Sequence, residues 1–407
     1  MSRRLPELRL FIMAASLAWS LTLGLPGCFD DLQHPSDPVA DQIVPGAMHI
    51  GALLPLSDGT GLSERDAVLM AVEDANALGG LTFAAIVADS RPERLTGLSG
   101  IDTEVRRRLE LLRRADAQAV VVADDATAVT ARRAGDSRGP VVVSYAASSD
   151  APFDLTRGAP SFRLGPPDEA LAEAIAALSG RVAGGVAVLA LQDDPYGVGL
   201  REAVEAALGR RGIYVVEGAW LDPLARGGQG DLVAPVLARS PGTIVPALPA
   251  GVAASVINEA LPRSPEVAWV LPPSVVSPAF LDNVADLDAL DGALAVAPAA
   301  GSGEAWSEFV AGFLARTGRA PAPYDALAYD AVRLVAAAAN RWREAGGAGS
   351  PSGRDLAREL PATAYSGAYT SWKLRLSGTA DATHPLQVFR LDAATRSFFP
   401  ESGGVGP

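Results

Sequence analysis

The strongest constraint on the fold is a regular alternation of short apolar runs with amphipathic helical stretches. "HIGALLPLS" (residues 49–57) is an apolar run that ends in turn residues, which is typical of a buried parallel strand. "RDAVLMAVEDANALGG" (65–80) follows, with apolar residues on one helical face and two glycines as a stop signal. Strands that alternate with helices of about 10–15 residues predict a parallel sheet with helices on both faces.

The alternation runs through two consecutive series, the second beginning after "PSFRLGPPDEA". Further strands are predicted at residues 83–90, 117–125, 139–149, 184–194, 213–221, 242–249, 266–273 and 292–300. Two late helices precede "SWKLRLSG" and "PLQVFRLD", which are predicted as antiparallel strands. The fold class is therefore α/β, with two doubly wound parallel-sheet lobes and a ligand cleft where the carboxyl ends of their strands meet.

The first 27 residues predict an export signal. Three arginines make a basic start, and residues 10–25 then run for 16 residues without a charge. That is shorter than the roughly 20 residues that a membrane-spanning helix needs. "LPGC" (25–28) resembles the lipobox of bacterial lipoproteins, which implies that Cys28 is lipidated and becomes the new N-terminus. An ordinary signal peptide and an uncleaved anchor helix remain alternatives.

Cys28 is the only cysteine in 407 residues, so the chain cannot form an internal disulfide. Residues 28–46 are rich in proline and aspartate and lack apolar periodicity, which predicts a disordered tether between lipid and domain. Because an export signal is removed from the mature protein, residues 1–27 are excluded from the fold prediction. The lone thiol is thus predicted to be a lipidation site.

Composition argues against several classes of function. The chain has 47 acidic and 34 basic residues, a net charge of −13, which disfavours nucleic acid and basic membrane-binding faces. It contains no nucleophile elbow and no phosphate loop, and its three histidines are scattered. Asp193 and Asp194 follow a strand and precede a turn, where acidic residues are usually solvated or cap the next helix. The sequence predicts no enzyme activity, no metal and no cofactor.

Several segments, in order, resemble type I periplasmic binding proteins, the leucine/isoleucine/valine-binding group of ABC transporters. The matching segments are "LLPLSDGTG", "EDANALGG", "VVVSYAASSDAP", "SFRLGPPDEALAEA", "QDDPYGVGL", "PYDALAYDAVRLVAAA" and "YSGAYTSWKLRLSG". The resemblance implies lobes built from discontinuous pieces, 47–163 plus 298–360 for lobe one and 164–297 plus 361–395 for lobe two. A tail follows at 396–407. The same resemblance places the hinge crossings between the lobes near residues 162–164, 295–299 and 361–365.

The resemblance also implies which residues face a ligand. In lobe one, Ser57, Thr127, Ala146 and Ser148 fall at positions whose hydroxyls and backbone groups hold an amino acid in these proteins. In lobe two, Tyr196 matches an aromatic that closes over the ligand. The alternative for each hydroxyl is a helix cap or turn bond, and for Tyr196 a packing role over the helix start.

Two departures from the family's pattern affect the expected ligand. "VPALPAG" and "LPPSV", where lobe two usually supplies aromatic and acidic contacts, contain neither. Asp124 and Asp125 precede a helix whose N-terminus would otherwise attract an anion. These carboxylates would repel a ligand carboxylate, so we expect a neutral or cationic ligand, or an empty cleft.

The sequence as a whole predicts a lipid-anchored solute-binding protein on the periplasmic side of a bacterial envelope. By the resemblance, it captures a small molecule by lobe closure for an ABC permease, and its lipid provides contact with the membrane. Phe29 after the cysteine favours the outer membrane. The alternative is a regulatory or scaffolding lipoprotein with a degenerate cleft. Ligand-induced stabilisation would separate the two functions.

Overall fold

The computed structural model describes residues 40–57, 59–91, 98–151, 157–221, 229–381 and 384–401. Within them the strands are β1 (Met48–Leu54), β2 (Phe83–Asp89), β3 (Ala117–Val122), β4 (Val141–Ser144), β5 (Ser161–Arg163), β6 (Val186–Leu191), β7 (Val215–Val216), β8 (Trp220–Leu221), β9 (Thr243–Ala247), β10 (Ala268–Leu271), β11 (Leu294–Pro298), β12 (Ala364–Ser366), β13 (Ser371–Lys373), β14 (Leu386–Asp392) and β15 (Ser397–Pro400). The helices are α1 (Leu62–Ala77), α2 (Leu98–Arg114), α3 (Asp125–Ala134), α4 (Asp168–Ser179), α5 (Pro195–Arg210), α6 (Gln229–Leu237), α7 (Ala250–Ala260), α8 (Pro278–Asn283), α9 (Gly303–Thr317), α10 (Asp325–Glu344) and α11 (Gly353–Glu359).

Lobe one contains a parallel sheet with the strand order β2-β1-β3-β4-β5. Successive side chains of a strand point to opposite faces, so Ile50 and Ala52 pack on one side of β1 and Leu53 on the other. Helices α1, α9, α10 and α11 cover the first face. Helices α2 and α3 cover the second. Both faces are therefore apolar, which is why the strands read as continuous apolar runs.

Lobe two is built on a sheet with the order β15-β14-β11-β10-β9-β6-β7, with β8 paired to β6. Strands β6 to β11 pair in parallel, whereas β14 and β15 are antiparallel. Helices α4 and α5 cover one face, and α6, α7 and α8 cover the other. This arrangement confirms the predicted α/β class with two doubly wound lobes.

The chain passes between the lobes after β5, after β11 and between β13 and β14. The first passage follows Arg163 and the second follows Pro298. The third lies later than the predicted 361–365, because residues 364–374 form a hairpin that packs on the lobe-one core. Lobe two in turn extends past residue 395, since β15 occupies part of the predicted tail.

A buried carboxylate explains why the β12–β13 hairpin stays with lobe one. Asp330, in α10, accepts hydrogen bonds from the backbone N–H groups of Ala368 (2.7 Å) and Tyr369 (3.0 Å) and from the indole Nε1 of Trp372 (2.8 Å). A side chain at Gly367 would collide with this carboxylate. Burial raises the pKa of Asp330 to about 6. Asp330, in the segment "PYDALAYDAVRLVAAA", therefore holds the hairpin against lobe one.

The last residues of the predicted tether are ordered against lobe one. Residues Ala40–Gln42 form a turn of 3-10 helix. The Gln42 side chain pairs with the outer edge of β2, donating from Nε2 to Val87 O (3.2 Å) and accepting from Val87 N–H (2.7 Å). His49 Nε2 accepts from Val44 N–H (3.1 Å). Residues 40–46 thus belong to the lobe. No helix in the described part of the chain is long and apolar enough to span a bilayer.

Asp330→Ala should lower the free energy of unfolding by roughly 3–6 kcal/mol. It leaves three buried donors without an acceptor, and each unsatisfied group costs about 1–3 kcal/mol. Chemical denaturation would measure the change, with Glu344→Ala at the exposed end of the same helix as control. A loss below about 1 kcal/mol would show that the hairpin is held by apolar packing alone.

Candidate functional site

A cavity of about 890 Å³ lies between the two lobes, at the carboxyl ends of their parallel strands. Lobe one contributes the loops after β1, β3 and β4 and the residues before α10. Lobe two contributes the loops after β6, β9 and β10. Small-molecule sites typically enclose roughly 300–1,000 Å³ and favour this edge of doubly wound sheets. The cavity therefore has the size and the place of a ligand cleft.

Three of the five residues predicted to bind a ligand line the cavity: Ser57, Ala146 and Tyr196. The Ser57 hydroxyl donates to the Asp89 carboxylate, which also accepts from Leu56 N–H (3.0 Å). Asp89 thereby fixes the loop after β1. Ser57 remains exposed, so its other lone pair and its backbone face the cavity.

Thr127 and Ser148 lie behind the cleft wall. Thr127 is fully buried and makes a helix-capping contact: its N–H (2.9 Å) and its hydroxyl (3.0 Å) both donate to Asp124. Ser148 is also buried, and its N–H donates to Asp125 (3.2 Å). Both residues make the cap or turn bonds that were the alternative to ligand contact.

The two adjacent aspartates after β3 have different tasks. Asp124 caps α3 through Thr127 and forms an ion pair with Arg91 (3.3 Å). Asp125 turns away from the helix and accepts from the N–H groups of Ser148 (3.2 Å) and Ser149 (2.9 Å). Complete burial raises the pKa of Asp125 well above its usual value, and the nearby Asp168 raises it further. The N–H groups of Thr127, Ser148 and Ser149 are therefore occupied by the protein's own carboxylates.

Arg163 and Asp168 hold the loop after β4 at the first passage between the lobes. Arg163 Nη1 donates to the carbonyls of Ser148 (2.8 Å) and Ser149 (3.0 Å) and to Asp150 Oδ1 (2.7 Å). The backbone N–H of Asp168 donates to Ser148 O (3.1 Å). Burial raises the pKa of the Asp168 carboxyl to about 7, against the lowering effect of Ser148 and Arg163. The sequence analysis did not single out either residue, although Arg163 lies in the segment "SFRLGPPDEALAEA" that resembles the family.

Tyr196 connects two loops of lobe two. Its hydroxyl donates to Ser274 Oγ (3.1 Å), and Ser274 donates in turn to Leu248 O (2.8 Å). Tyr145 and Tyr324 line the cavity from the lobe-one side. The Tyr145 hydroxyl is buried and has no hydrogen-bond partner among the described residues. Sequence reasoning also missed these two tyrosines, because a tyrosine after a strand has no distinctive spacing.

The cavity lining combines polar and apolar groups. Asp124, Asp125, Asp194 and three tyrosines contribute carboxylates and hydroxyls, whereas Pro249, Val252, Pro273, Val276 and Pro278 give apolar surface to the lobe-two wall. Within the described ranges, no three His, Cys, Asp or Glu side chains are arranged to hold a metal ion. Such a surface can bind and orient an organic molecule by hydrogen bonds and apolar contact.

Two doubly wound lobes with a shared cleft define a binding protein of the periplasmic type. The sequence matches the periplasmic binding protein family over residues 47–396, and the chain belongs to that family. Members of this family are substrate-binding proteins, which supports a solute-binding role. No match is found among curated protein sequences.

Solved structures show the same fold. A leucine-binding protein from Thermotoga maritima is 18% identical, with a TM-score of 0.74 over 88% of this chain and 98% of that one. A branched-chain amino acid transporter substrate-binding protein from Streptococcus pneumoniae, in complex with isoleucine, is 16% identical, with a TM-score of 0.69 over 87% and 99%. A leucine-, isoleucine-, valine-, threonine- and alanine-binding protein from Brucella ovis, in a closed conformation, is 16% identical, with a TM-score of 0.68 over 89% and 97%.

Asp168→Asn should stabilise the protein relative to wild type more at pH 8 than at pH 5. The folded pKa of about 7 lies above the ordinary value of 3.8, so the folded state holds a proton that the unfolded chain has lost. This carboxyl therefore contributes most stability below pH 4, and the contribution declines as pH rises through 7. The asparagine side chain of the variant cannot ionise. The difference in free energy of unfolding between variant and wild type should therefore widen by about 3 kcal/mol between pH 5 and 8.

Denaturation of both proteins at the two pH values measures the gap. Asp125, Asp150, Glu169 and Arg163 surround this carboxyl and stay in place in the variant. Glu169→Gln, at the exposed neighbouring position, is the control and should leave the pH dependence unchanged. A constant gap for Asp168→Asn would mean that water reaches the carboxyl.

Proposed function

We propose that the protein is an extracytoplasmic solute-binding protein that captures a small molecule by closing its lobes and delivers it to an ABC-type permease. The observation that carries this proposal is a cavity lined by loops from both lobes. A ligand that contacts both walls stabilises the closed arrangement over the open one, and the three connecting segments permit hinge motion. The transport role of the structural relatives supports the permease as partner.

The proposal includes a lipid anchor at Cys28. Cys28 and residues 1–39 lie outside the described residues, so the anchor rests on the basic, apolar and lipobox segments of the sequence. The described part of the chain begins at residue 40, and Gln42 lies against the β2 edge. Eleven residues, 29–39, would then separate the lipid from the lobe. Fully extended, they reach at most about 40 Å, which keeps the protein close to the membrane surface.

A ligand identified by thermal stabilisation should reduce the radius of gyration in small-angle scattering. A suitable screen contains branched-chain amino acids, amides, amines and carboxylates. Binding to the folded state alone raises its apparent stability, and closure makes the protein more compact. An unchanged radius of gyration with a saturating ligand would contradict lobe closure. If no compound stabilises the protein, the solute-binding role itself fails, and the scaffolding alternative is favoured.

Tyr196→Ala should weaken binding of such a ligand by at least about tenfold, because an aromatic contact at the cleft wall is lost. Titration calorimetry is the measurement. Tyr214→Ala removes an exposed tyrosine of the same lobe and should leave affinity unchanged. If Tyr196→Ala spares affinity and lowers the free energy of unfolding by more than about 3 kcal/mol, Tyr196 is a packing residue that joins the loops at Ser274 and Leu248.

Cys28→Ala should block lipidation, since the substituted chain has no thiol to acylate. Intact mass after export and fractionation of membranes are the measurements. We expect a lipid-modified chain that begins at Cys28 for the wild type, and an unprocessed or soluble form for the variant. A wild-type N-terminus at another residue, with an unmodified thiol, would exclude the anchor.

A further inference from the structure

The Asp194 carboxylate is a buried, incompletely satisfied acceptor in the cleft wall. Asp194 precedes α5 and lines the cavity, yet its residue is only 3% exposed. Its side chain makes no full capping bond to its helix, although the N–H groups of Tyr196 and Gly197 lie near enough to lower its pKa. Its buried Oδ2 atom has no hydrogen-bond partner among the described residues. Leaving a buried carboxylate incompletely paired is costly, so a ligand donor at this carboxylate would be favoured.

The arginines of the cleft are already engaged with other aspartates. Arg91 pairs with Asp124 at 3.3 Å, and Arg319 pairs with Asp66 at 3.0 Å. Arg91 also lies near Asp194, where it opposes the effects of burial and of Asp124 on the pKa of that carboxyl, which is raised to about 6. Asp194 is thus mostly ionised at neutral pH. The cavity thus presents a carboxylate whose neighbouring cation, Arg91, is shared with Asp124.

A carboxylate would be poorly accommodated at this end of the cleft. Three backbone donors behind this end of the cleft are occupied, Thr127 N–H by Asp124 and the N–H groups of Ser148 and Ser149 by Asp125. A helix N-terminus such as that of α5 stabilises an anion by about 0.3–2 kcal/mol. Repulsion between two carboxylates 4 Å apart is on the order of 4 kcal/mol at an effective dielectric of 20. Repulsion from Asp194 therefore exceeds the attraction of the dipole.

Other groups in the cavity suit a cation with an uncharged body. The buried Tyr145 hydroxyl offers a further acceptor in the same cavity. Tyr196 and Tyr324 add aromatic surface, which favours cations when a ring face is presented. Pro249, Val252 and Val276, from other loops of the same lobe as Asp194, contribute apolar surface to the cavity. An ammonium at Asp194 would place an uncharged body against lobe two.

We propose that the cleft binds a cationic amine that lacks a carboxylate, with its ammonium group at the Asp194 carboxylate and its uncharged body against the lobe-two wall. This proposal rests on the proposed solute-binding function and names its ligand class. A free α-amino acid would have to place its carboxylate elsewhere, and the first turn of α7, which has no side-chain cap, is the position left for it.

A matched series of compounds tests the ligand class on the mature protein. 3-Methylbutylamine, 4-methylpentanamide, leucine and 4-methylpentanoate share one branched apolar body and differ only in the polar group. Diamines, quaternary ammonium compounds and guanidino amines extend the series to larger cations. We expect thermal stabilisation and calorimetric binding by one or more amines, with each amine at least tenfold tighter than its carboxylate-bearing counterpart.

Binding of leucine or 4-methylpentanoate with equal or higher affinity than the amines would overturn the proposal and leave the solute-binding function intact. Preferential binding of the neutral amide would also overturn it. If no compound binds in this series or in the wider screen, the solute-binding function fails together with the amine proposal.

Substitutions then test the position of the ammonium. Asp194→Asn should weaken binding of the tightest amine at least tenfold and reduce its preference over the matched amide. Asp193→Asn alters the exposed neighbouring carboxylate and should change affinity less than twofold. Tyr145→Phe provides a second measurement if Asp194→Asn does not fold, with an expected loss of at least threefold. Retained amine affinity in Asp194→Asn, or in Tyr145→Phe where only that variant folds, would overturn the assignment.

Discussion

Parallel strand pairing is the constraint on which the rest of the structure depends. Each parallel strand must be followed by a crossover that returns to the opposite end of the sheet, so the loops after the strands all gather at one edge. In lobe one this brings the ends of β1, β3 and β4 together, and in lobe two those of β6, β9 and β10. The cleft is therefore a consequence of topology before any side chain is chosen.

Buried aspartates stabilise the irregular segments around this topology. Asp125 accepts from two backbone N–H groups of the loop after β4, and Asp330 accepts from two backbone groups and an indole of the hairpin. Loops carry backbone donors that no sheet or helix satisfies, and a carboxylate can satisfy two or three of them at once. Asp194 differs, because it is buried at the cleft with an oxygen left unpaired. That contrast distinguishes a structural carboxylate from one available to a ligand.

The fold was predictable from the sequence to a large extent, since apolar runs and helical periodicity are local signals. The strand that begins at Val186 and the helix that begins at Asp325 both follow such patterns. The third passage between lobes was not predictable, because it depends on a contact between Asp330 and a hairpin 38–42 residues away. Of the residues predicted to bind a ligand, Ser57, Ala146 and Tyr196 line the cavity. Thr127 and Ser148 lie behind its wall, because motif spacing does not show which way a hydroxyl turns.

The contact between Gln42 and β2 affects whether two copies of this protein can pair through their sheet edges. An edge strand exposes unpaired peptide groups that can template pairing with another chain, and β2 is the edge of the lobe-one sheet. The Gln42 amide has the donor and acceptor of a peptide unit and occupies both groups of Val87. One side chain thus imitates a neighbouring strand for the length of a single residue. A second molecule would have to displace it before the two sheets could join.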